Sequence, residues 1–379
     1  MSVRLWRVVS LSALLLILLA ACGRSKPKTV PLAEAPAICQ AARARKITSG
    51  GDQSWGSQNL LAFEDQDNHG VSQLWTMRPD GSQRTCLSCQ ARPDEPTVDR
   101  NKYYPTWRPQ ADWIVVQVEL AKHPLNFMHT SALLSVPLHN GVWNDLYAVS
   151  PDGARWVRLT DTTDSKIDGA FSAAFSPDGK QLMWSRIVQR GGSGHPWGVW
   201  QLLLGDFQVV DGTPRLANVR DITPPGTRFI EAHVFAPDGG SVLVASDHDS
   251  TSMWQLDIWR IDLATGAATN ITKHNGAWNE HAVFTPDGQH IIFMTTWLYP
   301  HVALQSDLVM TDLDGSNWRR LTSFNLKGSL EYAGHKVMPM HTRWDPHGNQ
   351  ISVTLQSGDH YPQRELWLVS FAGPCGRSG

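Results

Sequence analysis

The sequence predicts an all-β fold, a six-bladed β-propeller built from four-stranded antiparallel blades. Three observations predict it: a recurring turn motif, strand-like apolar runs that follow each copy of the motif, and a composition rich in turn-forming and aromatic residues. Of the 379 residues, 17 are Trp, 30 are Gly and 23 are Pro, and 18% are charged. This composition is typical of a packed globular protein with many turns.

The turn motif has an aromatic residue two positions before a proline. Because proline presets φ and glycine accepts a positive φ, each copy predicts a hairpin between the first two strands of a blade. Complete copies end in Pro-Asp-Gly, weaker copies keep the aromatic residue and the proline, and one degenerate copy lacks the proline. The copies lie at 175–179, 235–239, 284–288, 344–348, 107–110 and, in degenerate form, 55–58.

A third and a fourth strand follow most of these hairpins. Third strands are predicted at 73–75, 145–147, 198–200, 257–259, 307–309 and 365–367. Fourth strands are predicted at 84–87, 158–160, 221–223, 270–272 and 320–322, which leaves one blade incomplete. Since an open edge strand would pair with another chain, we expect the N-terminal segment 46–48 to close the last blade.

The Phe-Ser-Pro-Asp-Gly, Asp-Ile-Trp and Arg-Leu-Thr elements of this repeat resemble those of the TolB-type propeller, a WD-repeat-like family of exported bacterial proteins. The resemblance covers residues of about 40 to 370. It implies the six-bladed fold and a periplasm-facing place in the cell envelope. Binding proteins, peptidase gating domains and some lyases share this repeat, so the fold does not choose a function.

The N-terminus predicts a lipoprotein. Arg4 and Arg7 form a basic segment, and an apolar run follows that suits a signal peptide and is short for a spanning helix. The run ends in Leu-Ala-Ala-Cys22, which resembles the lipobox of bacterial lipoproteins; an ordinary signal peptide that ends near a cysteine is the alternative. We predict a signal peptide at 1–21, lipidation at Cys22, a flexible tether at 22–37 and the propeller at 38–379. Gly at position 23 favours the outer membrane by resemblance to enterobacterial sorting.

The charge of the chain excludes two classes of partner. The formal net charge is −2, so the chain lacks the basic surface that nucleic-acid binding requires. A near-neutral surface also does not favour adsorption to anionic membranes. We therefore expect membrane contact through the lipid anchor alone.

Four cysteines remain after Cys22. Cys39 precedes the closing strand and Cys375 follows the last third strand, so we predict that they form a disulfide; two separate thiols are the alternative. The closed loop would be long, and chain entropy gives such a bridge about 4–5 kcal/mol. Cys86 and Cys89 form a Cys-x-x-Cys without the helix, histidine or second pair that redox, haem or zinc sites need. We expect a local disulfide or a thiol pair there.

Five residues at the start of first strands form the candidate site. Because the innermost strands line the tunnel of a propeller, side chains at equal offsets from the motif proline meet near one mouth. His281 and His341 lie five residues before that proline, Glu231 and Glu280 six, and His233 four. His233 is therefore one residue out of register, and strand alternation would turn it to the other face.

Three imidazoles and two carboxylates suit a divalent-metal site. Oligogalacturonate lyases, which resemble this repeat class, hold a metal with tunnel histidines and abstract a proton next to a carboxylate of an acidic sugar. The alternative interpretation is structural, since buried polar groups in propellers tie neighbouring blades together by hydrogen bonds. No cofactor is expected otherwise, and the sequence assigns no catalytic residue.

Acidic segments and longer insertions lie in the predicted loops between strands. The acidic segments 65–67 and 247–249 are interpreted as hairpin turns rather than calcium loops. Insertions at 122–140, 190–197 and 296–305 each lie between a second and a third strand, so they should emerge on one face, where they suit contact with carbohydrate or peptide. We thus expect a protein- or glycan-binding module of the cell envelope, with a metal-dependent polysaccharide lyase or hydrolase as the alternative.

Overall fold

The computed structural model describes residues 32–35, 39–90, 98–120, 143–162, 169–189, 198–250, 252, 255–273, 276–299, 305–357, 363–373 and 375. Within these ranges the chain forms β-strands and no α-helix. Accordingly, no helix in the described part has the length and apolar character needed to cross a membrane. The predicted signal peptide, Cys22, the insertions 122–140 and 190–197, and part of the third insertion lie outside the described residues.

The predicted six-bladed propeller is confirmed, since the strands form six antiparallel sheets. Blade 1 contains β3 (Gly51–Gly56), β4 (Leu60–Gln66), β5 (Ser72–Met77) and β6 (Thr85–Cys86). Blade 2 contains β7 (Lys102–Trp107), β8 (Ile114–Glu119), β9 (Asn144–Val149) and β10 (Trp156–Arg158). Blade 3 contains β11 (Gly169–Phe175), β12 (Gln181–Gln189), β13 (Val199–Val210) and β14 (Thr213–Asp221).

The second half of the chain completes the ring. Blade 4 contains β15 (Ile230–Phe235), β16 (Ser241–Ser246), β17 (Asp257–Asp262) and β18 (Ala268–Asn270). Blade 5 contains β19 (Asn279–Phe284), β20 (His290–Thr295), β21 (Asp307–Asp312), β22 (Arg319–Arg320) and the added β1 (Ala33–Glu34). Blade 6 contains β23 (Val337–Trp344), β24 (Gln350–Ser357), β25 (Gln363–Phe371) and β2 (Ala41–Ser49). The first strand of each blade contacts that of the next, and β23 contacts β3, which closes the circle.

The N-terminal strand closes the last blade, as predicted. β2 pairs antiparallel with β25, from Ala41 opposite Phe371 to Ser49 opposite Glu365. Just beyond this pairing a disulfide joins Cys39 to Cys375, whose Cα atoms are 4.6 Å apart. A second disulfide joins Cys86 to Cys89. The two ends of the ring are therefore held by a strand ladder and by a covalent bond.

β1 is an element that the sequence does not predict. It runs parallel to β22, with Ala33 opposite Arg319, and the backbone N–H of Ala35 donates to Arg320 O at 2.9 Å. Residues 33–35 of the predicted tether therefore lie along the outer edge of blade 5. Because they cover an edge strand, they also protect it from pairing with another chain.

Both faces of each blade are covered by its neighbours, which explains the apolar runs. β8 is buried at every position and β20 at every position but its first. A short strand buried on both faces has a continuous apolar run rather than strict alternation. The largest hydrophobic cluster joins blades 3 and 4 and includes Phe171, Met183, Trp200 and Val244.

The Pro-Asp-Gly turns act as predicted and also join blades. At 175–179, Asp178 Oδ1 accepts from Ser176 Oγ at 2.7 Å and from Lys180 N at 3.1 Å. Gly179 has a φ of +65°, and a Cβ there would lie 2.0 Å from Gln110 Oε1. Gln110 in turn donates from Nε2 to Asp178 O at 2.8 Å. Glycine is required here by both its backbone angle and the close approach of the preceding blade.

The paired Asp and Thr of the third and fourth strands form a repeated hydrogen-bond bridge. In blade 4, Thr272 Oγ1 donates to Asp257 Oδ1 at 2.5 Å and accepts from Ile258 N at 3.1 Å. Blades 2 and 5 use Thr160 with Asp145 and Thr322 with Asp307 in the same way. The recurring Asp-Ile-Trp and Arg-Leu-Thr elements are therefore structural.

Candidate functional site

The register of every first strand shifts near its middle, which marks a β-bulge. In five blades a non-glycine residue at the bulge has a positive φ, between 47° and 57°. These residues are Asp52, Tyr104, Ser172, His281 and His341. Such strain costs about 1–3 kcal/mol and persists where the surrounding structure enforces it, often at functional sites. The bulges mark the level at which the predicted side chains meet.

The structure brings the predicted imidazoles together. The ring centroids of His281 and His341 are 4.2 Å apart, and those of His233 and His281 are 5.9 Å apart. All three side chains belong to residues with an exposed fraction of 4% or less. His341 also lies against Tyr104, with ring centroids 4.8 Å apart. The axial cluster, defined as Glu231, His233, Glu280, His281 and His341, thus joins blades 4, 5 and 6.

His233 lies in this cluster although its offset from the proline differs by one residue. The register of β15 shifts between Ala232 and Val234. The expected turn to the other face is therefore not seen. A bulge that displaces one residue compensates for a one-residue offset in sequence, and only the backbone shows where the bulge falls.

His233 acts mainly as a hydrogen-bond acceptor for the next blade. Its Nδ1 accepts from Ala282 N at 3.1 Å, and its Nε2 lies 3.3 Å from His281 N. Burial, with the neighbouring His281 and Arg343, holds the pKa of His233 well below its usual range. A neutral imidazole has one acceptor nitrogen, so the shorter contact places the proton on Nε2. The role that this geometry shows for His233 is to tie blade 4 to blade 5.

Glu231 and Glu280 form a buried carboxyl pair. Burial raises the pKa of Glu231 well above its usual range, and the charge of Glu280 and a hydrogen bond between the two groups raise it further. Burial also raises the pKa of Glu280, although Trp278 Nε1 donates to its Oε2 at 2.9 Å. Two adjacent buried carboxyl groups cannot both ionise at low cost, so they share a proton.

The cluster contains a donor set for a metal. Glu231, His233 and His281 each offer one ligand atom, and these atoms lie within 4.8 Å of one another. Burial, with the neighbouring His341 and Arg343, lowers the pKa of His281, and metals bind neutral imidazoles. Coordination by Nε2 of His233 would, however, require the proton to leave that nitrogen, and Glu231 would have to ionise. The chemical types of these three side chains suit a divalent ion. Binding the ion would, however, disrupt hydrogen bonds that the side chains already form.

His341 belongs to a second network that the sequence does not predict. Its Nε2 is 3.2 Å from Asp52 Oδ1, and Arg364 Nη1 is 2.8 Å from Asp52 Oδ2. Arg364 also pairs with Glu64. Burial lowers the pKa of Arg364, but the charges of Glu64 and Asp52 outweigh it and raise that pKa above its usual value. These residues lie far apart in sequence and share no motif, so only the closed ring brings them together.

A cavity of about 200 Å³ lies beside the cluster, at the end of the axis that carries the turn motifs. Five blades contribute to it, and it is partly open to solvent. Motif aromatic residues form much of its wall: Trp55, Trp107, Phe175, Phe235 and Trp344. His233 and Arg343 also line it and connect the cavity to the axial cluster. We call this space the axial cavity.

Sequence reasoning missed Arg343, although a signal was present. Arg343 directly precedes the aromatic residue of its motif. At that position the other five blades have small side chains: Ser54, Thr106, Ala174, Val234 and Val283. Alignment of the repeats by the aromatic residue would have singled out this one long cation.

Asp67 and Asp247 begin turns, as interpreted, whereas Asp65 lies at the end of strand β4. Asp67 Oδ1 accepts from His69 N and Val71 N at 2.8 and 3.1 Å. Asp247 Oδ1 accepts from Phe229 N at 2.8 Å. Asp65 is bound by Arg84 at 2.6 Å. These carboxylates already satisfy local donors, which leaves the axis as the candidate functional site among the described residues.

Comparison with known proteins identifies the fold. A structure assigned as TolB from Agrobacterium tumefaciens superposes with a TM-score of 0.51 at 18% identity, covering 77% of this chain and 82% of that one. An oligogalacturonate lyase from Vibrio parahaemolyticus gives 0.50 at 10% identity, covering 86% and 93%. A luciferin-regenerating enzyme gives 0.53 at 11% identity, covering 88% and 95%.

These likenesses confirm the TolB-type propeller fold and, at such low identity, nothing finer. No protein-family model and no curated protein sequence matches the chain. The three superposed proteins have different names and activities, as expected for a fold that serves several functions.

Proposed function

We propose that the chain is a lipid-anchored binding module of the bacterial cell envelope, which recognises a protein or glycan at the axis of its propeller. The axial cavity is the observation that supports this proposal most directly. Aromatic rings give large contact area with little loss of side-chain entropy, and concave sites with a few polar groups are the usual form of a binding pocket.

The rigidity of the ring supports the same function. Five blades contribute to the wall of the cavity, and β2 and a disulfide fasten the ring. A wall held in this way loses little conformational freedom when a ligand enters, which favours affinity.

The proposed location rests on two features. The N-terminal segment with Cys22 suits lipid attachment, and the two disulfides suit an oxidising compartment outside the cytoplasm. Metabolic labelling with a palmitate analogue tests the anchor. We expect the full chain to be labelled and to sediment with envelope membranes, and a Cys22→Ser variant to lose the label. A variant that keeps the label would contradict lipidation at this residue.

Binding itself is tested with the full chain in detergent, by calorimetry against defined peptides and envelope oligosaccharides. We expect saturable binding that a Trp344→Ala variant weakens, since Trp344 forms part of the cavity wall. Trp318, which packs in blade 5 against Trp297 with ring centroids 5.8 Å apart, provides the matched Trp318→Ala control. Binding that the control weakens as much as Trp344→Ala would place the ligand elsewhere.

A second candidate function is a metal-dependent lyase or hydrolase that acts on polysaccharide. The donor set of Glu231, His233 and His281 favours it, and a bound divalent ion would stabilise negative charge beside a sugar carboxylate. Elemental analysis of purified protein tests it, with His281→Ala for comparison. Stoichiometric metal that the variant loses would support the enzyme, whereas protein that binds no divalent metal under saturating conditions would exclude this mechanism.

A further inference from the structure

Among the described residues no carboxylate forms an ion pair with Arg343, in contrast to three other arginines of the blades. Arg364 pairs with Asp52 and Glu64, Arg158 with Asp145, and Arg84 with Asp65. The Arg343 guanidinium donates from Nη1 to the backbone O of Thr342 at 2.9 Å. Its other N–H groups have no partner in the described part of the chain, and the side chain lines the axial cavity.

No carboxylate bonds directly to Arg343, although Glu231 and Asp52 attract its charge from a distance. Burial lowers its pKa to about 10, while Glu231 and Asp52 act in the opposite direction, so it is a cation at neutral pH. Asp52 is already bound by Arg364 and His341. Glu231 and Glu280 hold one proton between them and so keep one negative charge, but neither side chain lines the axial cavity. A half-buried cation without a partner favours an anionic ligand, because pairing offsets the cost of its desolvation.

The walls of the cavity determine what else the ligand must carry. The rings of Trp107, Phe175, Phe235 and Trp344 line the same cavity as Arg343. The wall offers few free polar groups: within the described part of the chain Trp107 and Trp344 keep unpartnered Nε1 donors, whereas Ser54 Oγ accepts from Trp107 N at 3.0 Å and Ser176 Oγ donates to Asp178. A sugar would find only these few partners for its many hydroxyl groups, and each hydroxyl left unpaired costs about 1–3 kcal/mol. An apolar stem loses nothing in such a wall.

We infer that the axial cavity binds the C-terminal residue of a polypeptide, with its carboxylate held by Arg343 and an apolar side chain packed among the motif aromatic residues. This inference rests on the proposed binding function and names its ligand class. The cavity volume, about 200 Å³, equals that of about seven water molecules at 30 Å³ each. That space is large enough for one residue, and a C-terminal residue carries both the carboxylate and the apolar side chain.

Calorimetry with a matched peptide pair tests the inference. The probes are a short Gly-Ser peptide that ends in phenylalanine with a free carboxylate, and the same peptide with a terminal amide. We expect the full chain to bind the free acid at least tenfold more tightly than the amide. We also expect Arg343→Gln to remove this preference and Arg343→Lys to retain part of it, because lysine keeps the charge without the bidentate geometry.

Two controls separate the inference from the broader proposal. Arg215→Gln changes an exposed arginine that bonds Gln208 on the outer hairpin of blade 3, and it should leave binding unchanged. Thermal denaturation checks that each variant folds. Equal affinity for acid and amide, or an Arg343→Gln variant that still prefers the acid, would overturn the inference while leaving a binding module in place. Tighter binding of an oligouronate than of the free-acid peptide would do the same, in favour of a glycan ligand.

Discussion

At the level of single residues, burial decides which groups on and around the axis carry charge. Burial keeps His233 and His281 neutral and raises the pKa values of Glu231 and Glu280. The cluster therefore holds less charge than its five titratable groups suggest. Arg343 is a cation at its edge, and this contrast directs an anionic ligand to the guanidinium rather than to the imidazoles.

Asp307 gives the clearest pH prediction. Burial raises its pKa from 3.8 to about 6, against hydrogen bonds from Tyr299, Phe324 N and Thr322. The folded state thus binds this proton more tightly than the unfolded state. The stability that this protonation contributes to the folded state is fully present below about pH 4 and is lost as the pH rises through about 6.

An Asp307→Asn variant has no such titration. The unfolding free energy of the wild type minus that of the variant should fall by about 2 kcal/mol between about pH 4 and pH 7, since each pKa unit corresponds to about 1.4 kcal/mol and part of the titration lies below pH 4. Urea denaturation at a series of pH values measures this difference. A difference that stays constant, or grows with pH, would show that burial does not raise this pKa.

Residue identities on the axis were predictable in part. The shared offsets from the motif proline identified His281 and His341, because a repeat places equal positions at equal heights. His233 and Arg343 show the limits of this reasoning. The bulge in β15 brings His233 back into register with the other histidines. Arg343 stands out only when it is compared with the small residues at the same position in the other blades, and only the structure shows that it lines the cavity.

At the level of elements, the Asp–Thr bridge between third and fourth strands should contribute measurably to stability. A Thr272→Val change keeps the shape of the side chain but leaves Ile258 N and Asp257 Oδ1 without this partner in a buried site. We expect a loss of about 1–3 kcal/mol in unfolding free energy, measured by urea denaturation.

Thr269 provides the matched control for this change. It lies on β18, three residues before Thr272, but is exposed. Thr269→Val should alter stability by less than about 0.5 kcal/mol, as surface substitutions usually do. Equal effects of the two changes would mean that the hydroxyl of Thr272 has no special role.

Strand positions were predictable because the turn chemistry is explicit in the sequence. Pro-Asp-Gly or a weaker form of the motif marks the hairpins, and apolar runs mark the strands that follow. The parallel strand β1 was not predictable, since residues 33–34 have no apolar pattern of their own and pair only because the edge of blade 5 is present. The bulges were hidden for a similar reason, as they arise from packing between blades.

At the level of the whole molecule, stability depends on closure of the ring. The disulfide between Cys39 and Cys375 spans 336 residues of sequence. In the chain-entropy description a bridge of this length stabilises by about 4–5 kcal/mol. A Cys39→Ser, Cys375→Ser double variant should therefore unfold at a clearly lower urea concentration.

The short bridge provides the comparison. Cys86 and Cys89 are separated by three positions, so a Cys86→Ser, Cys89→Ser variant should lose much less stability because its loop constrains few residues. If both double variants unfold at the same urea concentration, the long bridge does not contribute through closure of the ring.

The position of the binding site on the axis is tested most directly by hydrogen exchange with mass spectrometry, in the presence and absence of the free-acid peptide. We predict slower exchange in the segments that line the axial cavity, around 54–57, 106–110, 174–177 and 343–346, with little change in the outer strands. Protection confined to the outer strands, or to loops at the opposite end of the axis, would contradict binding in this cavity.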